Sequence, residues 1–266
     1  MPVQRPSRRS FLRSAAAAAI SAAPSAAFAG RRRILLVATN VDQVGGQTSG
    51  TFLMEIAIPF RRLAALGYEL DVTTPRGGKA AVYHAGETWP ELLAARDDPA
   101  FVRKTAETIP AEAIRAHDYA AVFYPGGHGQ FWDVVEDQRI AAAAAQVHEA
   151  GGVIATVGHG AASLVNIRQS NGRYLVEGKR MTCFPWWAER EWMAISDYGK
   201  RLPFDMEAVL RERKADLVIC TKETMRQQDL ILVTDEPNRL ITGSFATAAG
   251  PVAEGLHKLV SQGQGT

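Results

Sequence analysis

Apolar positions along the chain alternate between two rhythms. Arg33-Ile34-Leu35-Leu36-Val37-Ala38-Thr39 is a nearly continuous apolar run of strand length, whereas Phe52 to Leu66 spaces its apolar residues as a helix does until Gly67 ends it. Tyr68 to Thr74 makes a second strand closed by Pro75-Arg76-Gly77-Gly78, and Tyr119 to Tyr124 a third closed by Pro125-Gly126-Gly127-His128-Gly129. A helix from Arg139 to Ala150 then leads into a fourth run, Val153 to Val157, which breaks sharply at Gly158-His159-Gly160. Apolar strands alternating with helices predict an α/β chain built on an open, mostly parallel sheet with helices on both faces. A polar segment containing Trp and Pro, about residues 80 to 115, reads as a small insertion.

The second half is more mixed. Gly172 to Arg180 reads as a hairpin and Met181 to Phe184 as a short strand ending in Pro185-Trp186-Trp187. Leu202 to Arg213 reads as a helix, Leu217 to Thr221 and Leu230 to Thr234 as a β-pair, and Leu240 to Gly243 as a return to the sheet before a C-terminal helix from about Ala249 to Val260. No repeat or linker divides this region, so residues 30–266 are expected to form one domain.

The first residues change the picture of charge. Arg8-Arg9-Ser10-Phe11-Leu12 precedes an alanine-rich run that ends in Ala27-Phe28-Ala29, the pattern of a twin-arginine-type signal peptide over residues 1–29, cut after Ala29. The expectation is an exported, periplasmic protein with no stable membrane anchor, because the run is too short and too rich in alanine to span a bilayer. Four of the 30 basic residues (Arg5, Arg8, Arg9, Arg13) lie in this leader, leaving 26 against 28 acidic residues and a net charge of −2. No basic stripe remains to suggest nucleic acid. Cys183 and Cys220, both in apolar β-like runs, are open to pairing or to burial as free thiols.

Ligands of open α/β sheets gather at the carboxyl ends of the strands. That rule brings together Glu55 at the start of the first helix, the Gly126–Gly129 loop, Gly158–Gly160 and the stretch from Phe184 to Glu191. A strand that breaks into Gly-X-Gly has the form of a nucleophile elbow, a strained turn that lifts one side chain above the sheet. Here the lifted residue is Gly158, which has no side chain to lift. The amides of Gly127 and His159 are candidate oxyanion donors, and Glu55 and His159 a candidate base and acid. A carboxyl on the otherwise apolar face of Phe52, Ile56 and Phe60 would be expensive to bury without a purpose. His128 reads either as a cap of the following turn or as a pocket residue, and Trp186, Trp187 and Trp192 as pocket wall or dimer contact. His84 and Glu87 have a spacing that suits a metal, but two ligands are too few, so neither a metal nor another cofactor is expected.

The order Gly50-X4-Glu55-X3-Pro59, Gly67-Tyr68-Glu69-Leu70-Asp71, Pro75-X-Gly77-Gly78 and Pro125-Gly126-Gly127-His128-Gly129 with Asp133 resembles the ThiJ/PfpI superfamily, which has a class I glutamine amidotransferase-like fold. Gly178-Lys179-X2-Thr182-X-Phe184, Leu202-Pro203-Phe204 and Leu240-Ile241-Thr242-Gly243 point to its heat-shock chaperone and glyoxalase III branch. The resemblance implies a flavodoxin-like domain in which an elbow cysteine works beside a histidine, a helix glutamate and a second acidic residue. Residue by residue, Glu55 matches the helix glutamate, His159 the elbow histidine, and Glu189 or Glu191 the acidic partner. The nucleophile position falls on Gly158.

Three readings follow from that departure. Cys183 stands in for the missing thiol, although a strand interior is a poor place for a nucleophile. Alternatively, Glu55 and His159 move protons without a covalent step, as a lyase, hydratase or hydrolase would. The leading expectation is a pseudoenzyme that binds a small carbonyl metabolite or a polypeptide, with Gly127, His128, Gly158, Trp186 and Glu191 as its binding residues and a homodimer as its assembly. An amidase domain working with a partner, which the fold also allows, is disfavoured by the absent thiol and the leader.

Overall fold

The computed structural model describes residues 32–195 and 199–263, so the expected leader lies outside the described residues. The strands of the central sheet and of one small two-stranded sheet are β1 (Arg33–Val37), β2 (Glu69–Thr74), β3 (Ile109–Pro110), β4 (Ala121–Tyr124), β5 (Val153–Val157), β6 (Arg180–Met181), β7 (Asp216–Leu217), β8 (Leu232–Asp235) and β9 (Leu240–Gly243). The main helices are α1 (Leu53–Ala65), α2 (Pro90–Arg96), α3 (Pro99–Ala106), α4 (Gln138–Glu149), α5 (Trp186–Ile195), α6 (Met206–Glu212) and α7 (Ala249–Gln262). The central sheet has seven strands in the order β8-β9-β5-β4-β1-β2-β3. All its pairings are parallel except that of β8 with β9.

Burial on both faces explains the strand sequences. Side chains alternate across a strand, so Ile34 and Leu36 of β1 enter one core while Leu35 and Val37 enter the other. The first core is closed by α1 and α7 through Ile56, Phe60, Val252 and Leu256, and the second by α4 and the loops beyond β5 through Ile140, Val147, Leu164 and Ile167. No polar face is left on β4 or β5, whose residues are all buried. The expected open α/β sheet with helices on both faces is therefore what the chain forms.

Several local expectations change. Residues 80 to 115 supply α2, α3 and the edge strand β3. Pro90 and Pro99 each open a helix at its first position, where a missing N–H is harmless, and Asp98 caps the second helix by accepting from the amides of Ala100 and Phe101. No hairpin forms over Gly172 to Arg180. Instead β6 pairs in parallel with β7, and β8 pairs with β9 rather than with the segment at Leu217. Short β-like runs carry no mark of their partner, because pairing depends on where the chain returns. The stretch after Pro185 is the helix α5.

Candidate active site

Strand β1 lies inside the sheet with β2 on one side and β4 on the other, and at such a reversal the loops leaving the carboxyl ends splay apart into a crevice. Gln130, fully buried, ties that crevice together: its Nε2 donates to the carbonyls of Val37 (3.2 Å) and Pro125 (3.1 Å), the ends of β1 and of the β4 loop. Asp133 fixes the first loop by accepting from Thr39 Oγ1 at 2.6 Å and from the Asn40 amide at 2.8 Å. The cavity between these loops measures about 760 Å³, and its wall includes Glu55, Gly127, His128 and His159.

Glu55 stands in the first turn of α1, on the side facing the sheet, and is only 4% exposed. Burial pushes its carboxyl up to about 8, although the Gly126 amide, donating to Oε2 at 2.6 Å, pulls the other way. The group is therefore mostly protonated at neutral pH, which avoids burying an uncompensated charge. Its other oxygen reaches toward the elbow. A Cβ built on Gly158 would lie 2.9 Å from Glu55 Oε1, so the carboxyl leans into the space that an elbow side chain would occupy.

Gly158 does have the elbow conformation, with φ of +56°, and β5 passes there into a 3₁₀ segment, Gly158–Leu164, rather than an α-helix. His159 follows. Its Nε2 lies 2.6 Å from Glu189 Oε2, its ring stacks on Phe184 with centroids 4.4 Å apart, and it meets the His128 ring edge-on, also at 4.4 Å. The second oxygen of Glu189 lies 3.3 Å from His128 Nε2. One carboxylate thus holds two imidazoles.

The two carboxyls of the site are driven in opposite directions. Burial alone would raise Glu189, which is 2% exposed, but the two imidazoles, His159 hydrogen-bonded at 2.6 Å and His128 at 3.3 Å, outweigh it and hold the carboxyl well below the usual carboxylate range. Burial, and the neighbouring His159, push His128 down to about 4, so its imidazole is neutral at pH 7. With Glu189 ionised, His159 donates Nε2–H to it, leaving Nδ1 as the basic nitrogen. His128, His159 and Glu189 also present donor atoms within 4.8 Å of one another, a spacing at which three side chains could share a divalent cation.

Residues 48–213 match the DJ-1/PfpI family. The chain belongs to that family. Among its relatives, the glutathione-independent glyoxalase hsp3101 of Schizosaccharomyces pombe is 26% identical over 240 residues, covering 85% of this chain and 98% of the relative. The protein/nucleic acid deglycase HchA of Escherichia coli is 25% identical, covering 88% of this chain and 82% of that protein. Glyoxalase III of Candida albicans has a solved structure that superposes with a TM-score of 0.72 at 22% identity, covering 88% of this chain and 98% of that one. This DJ-1/PfpI chain thus resembles glyoxalase III and Hsp31-type proteins, and its α/β, flavodoxin-like fold agrees with theirs.

The fold gathers some of the sequence-derived residues and scatters others. Glu55, Gly127, His128, Gly158, His159 and Glu189 converge. Glu191 does not: two residues further along α5 it has turned outward, and it pairs with Lys222 at 2.7 Å. Trp186 also misses the main cavity, its backbone amide being held by Glu207; Trp192, a turn and a half along, reaches the wall instead. Helical rotation is the reason in both cases, since α5 was not legible as a helix. Cys183 is fully buried, and burial pushes its thiol well up, which removes it as a substitute nucleophile. Both cysteines are free. His84 and Glu87 do meet, Nε2 to Oε2 at 3.5 Å, with Glu87 in the cavity wall. Gln130 and Phe245 carried no sequence signal, because each acts by its place in the fold, and Phe184 was marked only as part of a motif and a loop, not as the ring that stacks on His159.

Proposed function

We propose that this protein is a cysteine-independent acid/base catalyst acting on a carbonyl compound, a member of the glyoxalase III-like group working without a thiol at its elbow. The observation that carries the reading is that two buried carboxyls of one site differ in protonation at pH 7, Glu55 raised to about 8 and neutral, Glu189 held low and ionised against His159 at 2.6 Å. Groups pushed apart in this way divide the roles of acid and base between them. Protonated Glu55 donates to the carbonyl oxygen, and His159 Nδ1, with its ring oriented by Glu189, accepts a proton from a water or from the carbon beside the carbonyl.

In the hydration form of this reaction, water oxygen bonds to the carbonyl carbon while one water proton passes to His159 and the Glu55 proton passes to the carbonyl oxygen. Both catalytic groups are restored when His159 returns its proton to Glu55 through solvent. Glu55→Gln and His159→Ala are each expected to abolish methylglyoxal turnover that Cys183→Ser leaves intact. If all three variants turn over like the parent, the mechanism is wrong.

A second reading is binding without turnover. It is favoured by the same carboxyl, which stands 2.9 Å from the position of a Gly158 Cβ and so part-fills the space over the elbow. Absence of turnover in the parent together with saturable binding of a carbonyl compound selects it. Export to the periplasm is part of the proposal and rests on Arg8-Arg9 and Ala27-Phe28-Ala29; a new N-terminus at Gly30 in exported protein tests it. A homodimer is proposed as the assembly, tested by sedimentation.

A further inference from the structure

The proposed chemistry concerns a carbonyl group, but the cavity is built for something larger. A three-carbon dicarbonyl has five heavy atoms and, at roughly the ~30 Å³ that a water takes in the liquid, fills on the order of 150 Å³. The cavity measures about 760 Å³, inside the ~300–1,000 Å³ range of sites that enclose drug-sized ligands. Such a small metabolite would leave most of it to solvent.

The walls say what the remainder is for. Phe52 and Tyr83 form one tilted pair with centroids 6.1 Å apart, and Phe184 and Phe245 an edge-to-face pair at 5.7 Å; both pairs line the same cavity. Trp192 lines it too while remaining 54% exposed, so it stands at the mouth and offers an uncovered aromatic surface. Phe184 also stacks on His159 at 4.4 Å. A ring seated against the Phe184 and Phe245 pair therefore sits next to the histidine that the chemistry uses.

Charge narrows the class further. The acidic and imidazole side chains of the wall are Glu55, Glu87, His128 and His159, and none of the described residues lining it is Lys or Arg. Oxygen Oε2 of Glu87 is buried and lies 3.5 Å from His84 Nε2. A carboxylate or phosphate on the ligand would lie against the Glu87 carboxylate, whose neighbour His84 is already engaged with the Glu87 carbonyl at 2.8 Å, and would find no Lys or Arg among the described lining residues to balance it.

We propose that the cavity takes a carbonyl compound carrying an aromatic or similarly bulky apolar substituent and no anionic group. The proposal rests on the acid/base reading for its carbonyl end and on the walls for its body. Three probes separate the two: 4-phenylbutan-2-one has ring and ketone, butan-2-one the ketone alone, and 3-phenylpropionate the ring with an anionic end. Titration calorimetry on the full chain at pH 7 is expected to rank 4-phenylbutan-2-one about tenfold or more tighter than butan-2-one, since six well-packed ring atoms at ~0.3 kcal/mol each correspond to more than tenfold, and tighter than 3-phenylpropionate, whose ring is the same but whose anionic end meets the Glu87 carboxylate. Trp192→Ala and Phe245→Ala are each expected to weaken the first probe severalfold and to leave butan-2-one unchanged.

Equal or tighter binding of 3-phenylpropionate, or no gain from the ring, overturns the ligand class. The expected ranking alongside turnover indifferent to Glu55→Gln and His159→Ala supports the ligand class and sinks the acid/base reading. A lost ranking alongside turnover that depends on Glu55 sinks the ligand class alone.

Discussion

Replacing Glu55 by Gln tests whether a buried acid is kept protonated inside this fold. The carboxyl is moved from its ordinary 4.5 to about 8, chiefly by burial. Above pH 4.5 the unfolded chain releases this proton while the folded chain still holds it, so ionisation favours unfolding. Stability from this group is complete below about pH 4.5, declines as pH rises, and levels off once pH passes about 8. At ~1.4 kcal/mol per pKa step the accumulated loss is about 5 kcal/mol. Gln cannot ionise, yet its amide oxygen can accept the Gly126 N–H that Glu55 Oε2 now accepts at 2.6 Å. The difference in unfolding free energy between E55Q and the parent, from urea titrations at pH 5 to 9, is therefore expected to start near zero and to grow to about 5 kcal/mol in favour of the variant. In a domain of this size that corresponds to a Tm gain of ~10–20 °C at pH 9. A difference curve that stays flat across this range would show that the carboxyl ionises freely and would remove the proposed acid.

Further outcomes follow from the same geometry. Gly158→Ala is expected to lose about 1–2 kcal/mol, because a left-handed φ of +56° strains any Cβ and Glu55 must move aside; equal stability by denaturation would mean that the turn relaxes. Gly158→Cys is expected to gain an alkylatable thiol and thiol-dependent consumption of methylglyoxal, and no gain would show that more than one residue separates this site from thiol chemistry. Glu189→Gln removes the charge that orients two imidazoles, so turnover is expected to fall by roughly tenfold or more without loss of the fold; an unchanged rate would take His159 out of the mechanism. In the native parent, Cys183 is expected to resist iodoacetamide until the chain unfolds, and rapid labelling by mass spectrometry would contradict its burial.

Short-range rules govern the part of the protein that is legible along the chain. Apolar runs such as Val153 to Val157 must be buried on both sides, Gly67 must end a helix, and a Gly-X-Gly after a strand must make a sharp turn, so the sheet and the elbow at Gly158 were readable in order along the chain. The family pattern of glycines and prolines was readable for the same reason. Tertiary structure decided everything that depends on distance between remote segments. Glu189 and Glu191 lie two residues apart in sequence, and only the rotation of α5 sends one to His159 and the other to Lys222. Glu55 is an ordinary glutamate until burial raises it toward 8, and Glu189 an ordinary glutamate until two imidazoles lower it. Solvation and Coulomb interactions are properties of a three-dimensional surrounding, and that surrounding is what divides one acid from the other.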